Sequence, residues 1–337
     1  MIPLRRGSTL PGIRENESGL FMITTEKTPG RDFTVLNLSD IQLTTREWES
    51  ETGEHLVRTI RHLMEKVRPD LVTLCGDIAW SNHPAVYGHV ADLLDGYGVP
   101  FAPLFGNHDH QDGPEVASRL ADILCEKKTC LFERGDPELG LGNYVILVAE
   151  GGRPVHGIIM TDSHEEMDYT APDGTVSREH AELSREQIAW YREQIGILNG
   201  MGVPETTVMM HIPNYAFRLA ADAAFRKDID RMGMDPRNAR DCWNEGYEDS
   251  FGAMYEEVSS YPVDNGFLDA VLEGGSTKTV ICAHNHIINF SVPYRGIRFV
   301  FSLKTGRGCY CDSRLNGGTV IKIGPDGRAT VTHEYVD

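Results

Sequence analysis

The sequence predicts an α/β protein whose strands end on one shared polar edge. Two observations carry this. Short apolar runs that read as buried strands alternate with stretches of helical periodicity, so neighbouring strands are expected to pair in parallel through right-handed crossovers. Five of these runs also end in a polar motif: Leu38-Ser-Asp40-Ile-Gln42, Cys75-Gly-Asp77, Phe105-Gly-Asn107-His108-Asp109, Met209-Met-His211 and Cys282-Ala-His284-Asn-His286. Ligands bind outside the strand ends of such sheets. Two Asp, one Asn and three His brought to one edge form a metal-ligand set.

The elements follow in order. Residues 1–31 read as peripheral, with a strand over Gly19–Thr24 expected to pair with Phe33–Leu38 across the Lys27–Arg31 turn. After the strand Thr34–Leu38, Leu56, Ile60, Leu63, Met64 and Val67 mark one face of a helix over Glu51–Lys66, which Pro69 ends. The strand Leu71–Leu74, a helix over Ala85–Leu94 and the strand Phe101–Leu104 come next. Pro114–Glu126 reads as a helix with Pro in its first turn. Tyr144–Val148 and Gly157–Met160 read as adjacent antiparallel strands joined through Glu150–Pro154. Ser184 caps a helix that runs to Leu198 with Ile188, Tyr191, Ile195 and Leu198 on one face. Strands Thr207–Met210 and Thr279–Cys282 lead into the last two motifs. Between them, residues 214–262 read as two helices, in which Trp243, Tyr247, Phe251, Tyr255 and Tyr261 pack an apolar face more readily than they wall a substrate site. Strands over Ile287–Val292, Ile297–Ser302, Thr319–Ile323 and Thr330–Tyr335 close the chain. No repeat or Pro/Ser-rich linker divides it. The expectation is one domain over 1–337, with a motif-bearing core at 33–305 and C-terminal strands at 306–337.

Bulk composition narrows the function. The 337 residues are 40% hydrophobic and 24% charged, ordinary for a globular protein with a full core. No apolar run is long enough for a membrane helix. The net charge of −18 repels nucleic acid and anionic membrane at long range, and two divalent ions would offset only about four of those charges. The seven cysteines are scattered, and Cys75 and Cys282 fall inside apolar strands. Cys309-Tyr-Cys311 has no second pair with which to build a zinc knuckle. A reducing, cytoplasmic setting is the expectation. Met1–Gly7 carries no apolar stretch of signal-peptide length, and a leader already removed stays open.

The motifs, in this order, resemble those of the calcineurin-like metallophosphoesterases, and most closely the branch related to purple acid phosphatases. That pattern reads Asp-x-His, Gly-Asp, Gly-Asn-His-Asp/Glu, a lone His, then Gly-His-x-His, and the resemblance spans residues 33–305. Ser184…Gln187-x-x-Trp190 resembles the helix these proteins carry before the lone His. The resemblance implies a four-layer α/β/β/α sandwich of two mixed sheets flanked by helices. It also implies a dinuclear centre of Mn, Fe, Zn or Mg that hydrolyses a small phosphomonoester or phosphodiester through a metal-activated hydroxide. Asp77 would bridge the ions, Asp40 and His286 would complete the first, and Asn107, His211 and His284 the second. In the His284-x-His286 pair, residues two apart on a strand end face the same side. His108 would stabilise the phosphoryl oxygens or protonate the leaving group, held by Asp109.

Three departures stand out. Gln42 replaces the His of Asp-x-His; it either binds a hard cation through its carbonyl oxygen or acts outside the coordination sphere. Ala283 replaces a Gly, a mild change unless that position needs positive φ. Trp80 stands where purple acid phosphatases carry the Tyr that colours them, and has no oxygen to bind iron. Gln42 also motivates the alternative of a catalytically weakened metal-binding or protein-interaction scaffold. A nuclease would need a basic track that the acidic chain lacks. Outside the motifs, Asp162 and His164 read as loop residues more readily than cleft residues, and His110 as exposed. His55, His62, His83, His89, His156, His180 and His333 read as surface or packing residues. Asn289 is expected to steady the site.

Overall fold

The computed structural model describes residues 13–15, 21–80, 84–229, 232, 235–237 and 242–336; His83 lies outside them. The first half runs β1 (Ile13–Glu15), β2 (Phe21–Glu26), β3 (Phe33–Leu38), α1 (Thr45–Trp48), α2 (Glu51–Val67), β4 (Leu71–Cys75), α3 (Pro84–Asp95), β5 (Phe101–Leu104), α4 (Asn107–His110) and α5 (Pro114–Cys125). The second half runs β6 (Tyr144–Glu150), β7 (Arg153–Met160), β8 (Glu166–Thr170), β9 (Val176–His180), α6 (Arg185–Gly200), β10 (Glu205–Met209), α7 (Ala216–Ala224), α8 (Phe267–Gly274), β11 (Thr277–Cys282), β12 (Ser291–Tyr294), β13 (Ile297–Phe301), β14 (Gly317–Ile323) and β15 (Ala329–Tyr335).

Two mixed sheets face each other. One has the order β15-β14-β3-β4-β5, the other β1-β2-β6-β7-β10-β11-β13-β12. As expected, β3 pairs in parallel with β4 and β4 with β5; β10 also lies parallel to β11. Strands of the eight-stranded sheet are apolar on both faces because both are covered. In β6, Tyr144, Ile146 and Val148 join the core shared with the other sheet, while Val145 and Leu147 join the core under α6, α7 and α8. The inward faces of α2, α3 and α5 close the outer side of the five-stranded sheet. The result is helices, sheet, sheet, helices, and each buried Leu or Ile adds roughly 1.5–3 kcal/mol to it.

Local chemistry sets the helix bounds. Ser50 caps α2 by accepting from the Thr52 N–H, and Arg68 ends it in a left-handed turn with φ of 51°. Ser184 and Gln187 form a reciprocal capping box at the start of α6.

Several expectations fail for physical reasons. β2 does not pair with β3; it lies parallel to β6 in the other sheet. Just past the end of β2, Lys27 is held on the same side: its buried ammonium pairs with Glu150 of β6 at 2.8 Å. The segment 214–262 forms one helix, α7, and among the described residues the rest is loop. Gly246 and Gly252, with φ of 88° and 91°, break it. Its aromatics pack singly, Trp243 on Phe225 and Tyr261 on Tyr169. Residues 287–290 are not strand, and Asn289 instead accepts from Ala253 N–H and donates to Tyr335 Oη, tying the loop at Ala253 to the end of β15. The β8–β9 hairpin and α8 have no counterpart in the sequence reading; the hairpin is largely exposed and charged, so no apolar alternation marks it.

Candidate metal centre

The ends of β3, β4 and β5 bring Asp40, Asp77 and Asn107 together through tight backbone turns. Asp40, Gln42 and Asp77 take φ of 49°, 46° and 52°, sterically costly for residues with a Cβ. The two turns are stitched by Asp40 N–H to Gly76 O at 3.2 Å and Gln42 N–H to Asp77 O at 3.0 Å. Gly76 and Gly106 are required by close approach. A Cβ on Gly76 would lie 2.7 Å from His211 Nδ1, and one on Gly106 2.5 Å from Asp77 N. The buried Asp109 carboxylate accepts from the N–H groups of Asp77 and Gly106 at 2.8 Å and of Ile78 at 3.2 Å. Asp109 therefore braces these turns.

The ends of β10 and β11 bring the imidazoles. His211 donates from Nδ1 to the Cys75 carbonyl at 2.8 Å, which leaves its Nε2 3.0 Å from Asn107 Oδ1 and 3.3 Å from Asp77 Oδ2. His286 likewise donates from Nδ1 to the Tyr310 carbonyl at 2.9 Å, leaving Nε2 3.6 Å from Asp40 Oδ1. A backbone carbonyl on the far nitrogen is the usual way to hold a metal-ligating His. His284 Nδ1 lies 2.9 Å from Asn107 Oδ1. His284 has φ of 73°, so the chain turns there and the strand-end argument for His284 and His286 does not hold. The two rings serve opposite ends of the site. Ala283 is absent from the positive-φ residues, so the Gly-to-Ala departure costs nothing in backbone strain.

The charges ask for a cation. Burial lowers the His211 pKa, but the facing Asp77 carboxylate outweighs it and pushes the imidazole up to about 9. Burial opposes ionisation of Asp77, and His211 outweighs that, holding the carboxyl below the usual range. Burial pushes His284 well down and His286 down to about 4, so both present lone pairs at neutral pH. Asp40 Oδ1 is buried with no hydrogen-bond partner. An unpaired buried carboxylate oxygen is costly unless a cation meets it. Asp40, Asp77 and His286 offer ligand atoms all within 4.8 Å of one another. Around His211 the contacts run from 2.9 to 3.3 Å, and ligands about 2.1 Å from a shared ion stand roughly 3 Å apart at right angles. Both groups fit a metal by their donor types.

Gln42 does not fit. Its Oε1 accepts from the Lys304 ammonium at 2.7 Å and its Nε2 donates to Asp77 Oδ2 at 2.7 Å. An ammonium has only donors, so the atom facing it must be the carbonyl oxygen, the one atom with which Gln42 could ligate. His108 stands at the rim, its Nδ1 2.7 Å from Gln111 Oε1 and its ring 4.2 Å from that of Trp80. Trp80 also lines a cavity of about 470 Å³ with Thr44, Arg46, Glu47, Ser50 and Cys309.

Two residues of the site escaped the sequence reading. Lys304, 2% exposed, reaches it from beyond β13. His180, read as packing, sets its Nε2 3.4 Å from His284 Nε2. Neither follows a motif. His110 is not an exposed loop residue: its Nε2 binds the fully buried Asp162 at 2.9 Å, and the pairing holds Asp162 down to about 2 against the cost of burial. His164 Nε2 lies 3.1 Å from Gln187 Oε1, so Asp162 and His164 stitch the turn before α6.

Two facing mixed sheets flanked by helices, with oxygen and imidazole donors at their strand ends, define the metallo-dependent phosphatase fold. The chain belongs to the calcineurin-like phosphoesterase family, whose model matches residues 33–288. It is 22% identical over 284 residues to a probable inactive purple acid phosphatase 28 of Arabidopsis thaliana, covering 78% of this chain and 65% of that one. It is 28% identical over 131 residues to a probable cyclic nucleotide phosphodiesterase of Psychrobacter arcticus, covering 35% of this chain and 44% of that one. The chain thus spans less than two thirds of the length of these relatives. A dimetal phosphatase from Danio rerio superposes with a TM-score of 0.51 at 13% identity, covering 90% of this chain and 99% of that one, a likeness of fold.

Proposed function

We propose that this chain hydrolyses a small phosphate monoester or diester at a metal centre built from Asp40, Asp77, Asn107, His211, His284 and His286. The observation that carries the reading is the convergence of ligand-type atoms: His211 Nε2 and His284 Nδ1 both meet Asn107 Oδ1, and Asp40 Oδ1 meets no donor. When bound, metal would supply an activated water and positive charge at the phosphoryl group.

The chain's own residues do the rest. Asp77, Asn107, His211 and His284 would hold one ion, and Asp40, Asp77 and His286 a second. Asp109 and the turns it braces keep Asp77 in place. Gln111 takes the Nδ1 proton of His108 in a hydrogen bond, which leaves Nε2 as the nitrogen that exchanges a proton with the ester oxygen. The cavity beside Trp80 has a volume of about 470 Å³, within the range of small-molecule sites, and would take the alcohol part of the ester.

The test is metal analysis paired with hydrolysis of p-nitrophenyl phosphate and its bis-ester across Mn²⁺, Zn²⁺, Fe²⁺ and Mg²⁺. Turnover with bound metal, lost in His211→Ala together with the metal, is the expected result. One observation favours the scaffold reading: the Lys304 ammonium on Gln42 weakens one ligand position. Full metal occupancy with both esters untouched would establish that reading instead.

A further inference from the structure

The two halves of the centre are not equally equipped. Around Asn107 Oδ1 the inward atoms are two imidazole nitrogens, His211 Nε2 at 3.0 Å and His284 Nδ1 at 2.9 Å. Around Asp40 and His286, a fixed positive charge is already built in. Lys304 Nζ binds the Asp40 backbone carbonyl at 2.8 Å and Gln42 Oε1 at 2.7 Å. It is 2% exposed, so water screens it little. Through Gln42 its influence reaches the shared carboxylate, because the Gln42 amide donates to Asp77 Oδ2 at 2.7 Å. Asp77 Oδ1 is also engaged, by the His108 N–H at 3.0 Å. Asp40, Asp77 and Lys304 together carry one net negative charge, which a single divalent ion more than offsets. Asn316 and Gly317 hold the Lys304 backbone, through Asn316 Nδ2 to Lys304 O at 2.9 Å and Gly317 N–H to the same oxygen at 3.0 Å. The lysine is therefore a fixed part of the site.

We infer that Lys304 makes the two ion positions unequal: the Asn107/His211/His284 position binds its ion tightly, and the Asp40/His286 position binds a second weakly and exchangeably. Gln42 acts outside the coordination sphere, as the link that carries the lysine's charge to Asp77. Asp40 Oδ1, with no hydrogen-bond partner, keeps the weaker position real rather than lost. Lys304 is here a positioning residue for metal and not a group that touches substrate. The inference rests on the reading that the centre takes metal, but not on turnover.

The experiment is a Mn²⁺ titration of the metal-stripped full chain, followed by calorimetry and by electron paramagnetic resonance. The expected result is one equivalent bound first, with the hyperfine pattern of an isolated ion. The spin-coupled pattern of a pair should emerge only at Mn²⁺ concentrations about 10–100-fold higher, the range over which neighbours of ligands shift affinity. Two equivalents bound together, with coupling from the first addition, would overturn it, as would no binding at all. Lys304→Met should bring the two affinities at least about tenfold closer. Lys304→Gln, which keeps a donor to Gln42 without the charge, should do the same; an unchanged gap in both removes Lys304 from the explanation. Unequal binding without ester hydrolysis would leave this inference standing and remove the proposed function. Equal binding with hydrolysis would do the reverse.

Discussion

The five-stranded sheet gives the centre its oxygens, and the eight-stranded sheet gives it its nitrogens. The two deliver them by different means. Asp40, Asp77 and Asn107 have short side chains, so the backbone itself must come close, and it does so through left-handed turns and glycines without room for a Cβ. Imidazoles are longer and can swing, so each needs an anchor on its far nitrogen. His211 takes that anchor from the opposite sheet, at the Cys75 carbonyl, and His286 takes it from the loop at Tyr310. The oxygen side is thus specified by conformation and the nitrogen side by hydrogen bonding. Substitutions without any change of ligand should hurt the oxygen side most.

Gly106→Ala is the sharpest test of that contrast. Its Cβ would lie 2.5 Å from Asp77 N, a backbone atom that cannot rotate away. Overpacking of this kind costs about 3 kcal/mol, and relief requires Asp77 to move. Chemical denaturation should show that loss, and metal analysis should show the ions gone. A variant of native stability with full metal content would mean the turns are looser than the positive φ values imply. Asp109→Asn is milder. One acceptor oxygen becomes an amide that faces backbone N–H groups, leaving donors unpaired at about 1–3 kcal/mol and lowering metal affinity about 10–100-fold. Equilibrium dialysis against Mn²⁺ measures it; an affinity equal to that of the unaltered chain would remove Asp109 as the brace.

The same contrast explains what could be read in the sequence. Asp40, Asp77, Asn107, His211, His284 and His286 each follow an apolar run, and a strand end is visible one residue at a time. Whereas the two-sheet architecture was implied by the family resemblance alone, the strands β3, β4, β5, β10 and β11 and the helices α2, α5 and α6 were legible for the same reason. Lys304 was not, because the partners that give it meaning, Asp40 and Gln42, lie 264 and 262 residues away. His180 ends a charged hairpin with no apolar period, so nothing local sets it apart from His62 or His89. Asp109 sat inside a recognisable motif, yet its bracing of the turns was not legible there. The motif gives the residue type, and only the fold shows three N–H groups converging on it. The crossing of β2 to the far sheet was not legible either, because its partners in β6 and the Lys27–Glu150 pair lie about 123 residues along the chain.

His156 gives the smallest effect and a clean control for the nitrogen side. Like His211 it is fully buried on the eight-stranded sheet, with Nδ1 2.8 Å from a backbone carbonyl, that of Gly327. Unlike His211, its Nε2 meets a hydroxyl, Thr207 Oγ1 at 3.0 Å, so the ring is satisfied and has no carboxylate to face. Burial pushes its pKa from 6.5 down to about 4, with only the Gly327 carbonyl in opposition. The unfolded chain therefore binds a proton at higher pH than the folded one. Stability contributed by neutral His156 is complete above pH 6.5 and drains as the pH falls towards 4, by about 2 kcal/mol at pH 5. Metal ligands also titrate in acid, so the readout is the difference between the unaltered chain and His156→Gln, in which their contributions cancel. That difference in unfolding free energy should narrow by about 2 kcal/mol from pH 7 to pH 5. A constant gap would mean that the ring is charged or hydrated in the folded state, and that burial on this sheet does not by itself strip a histidine of its proton.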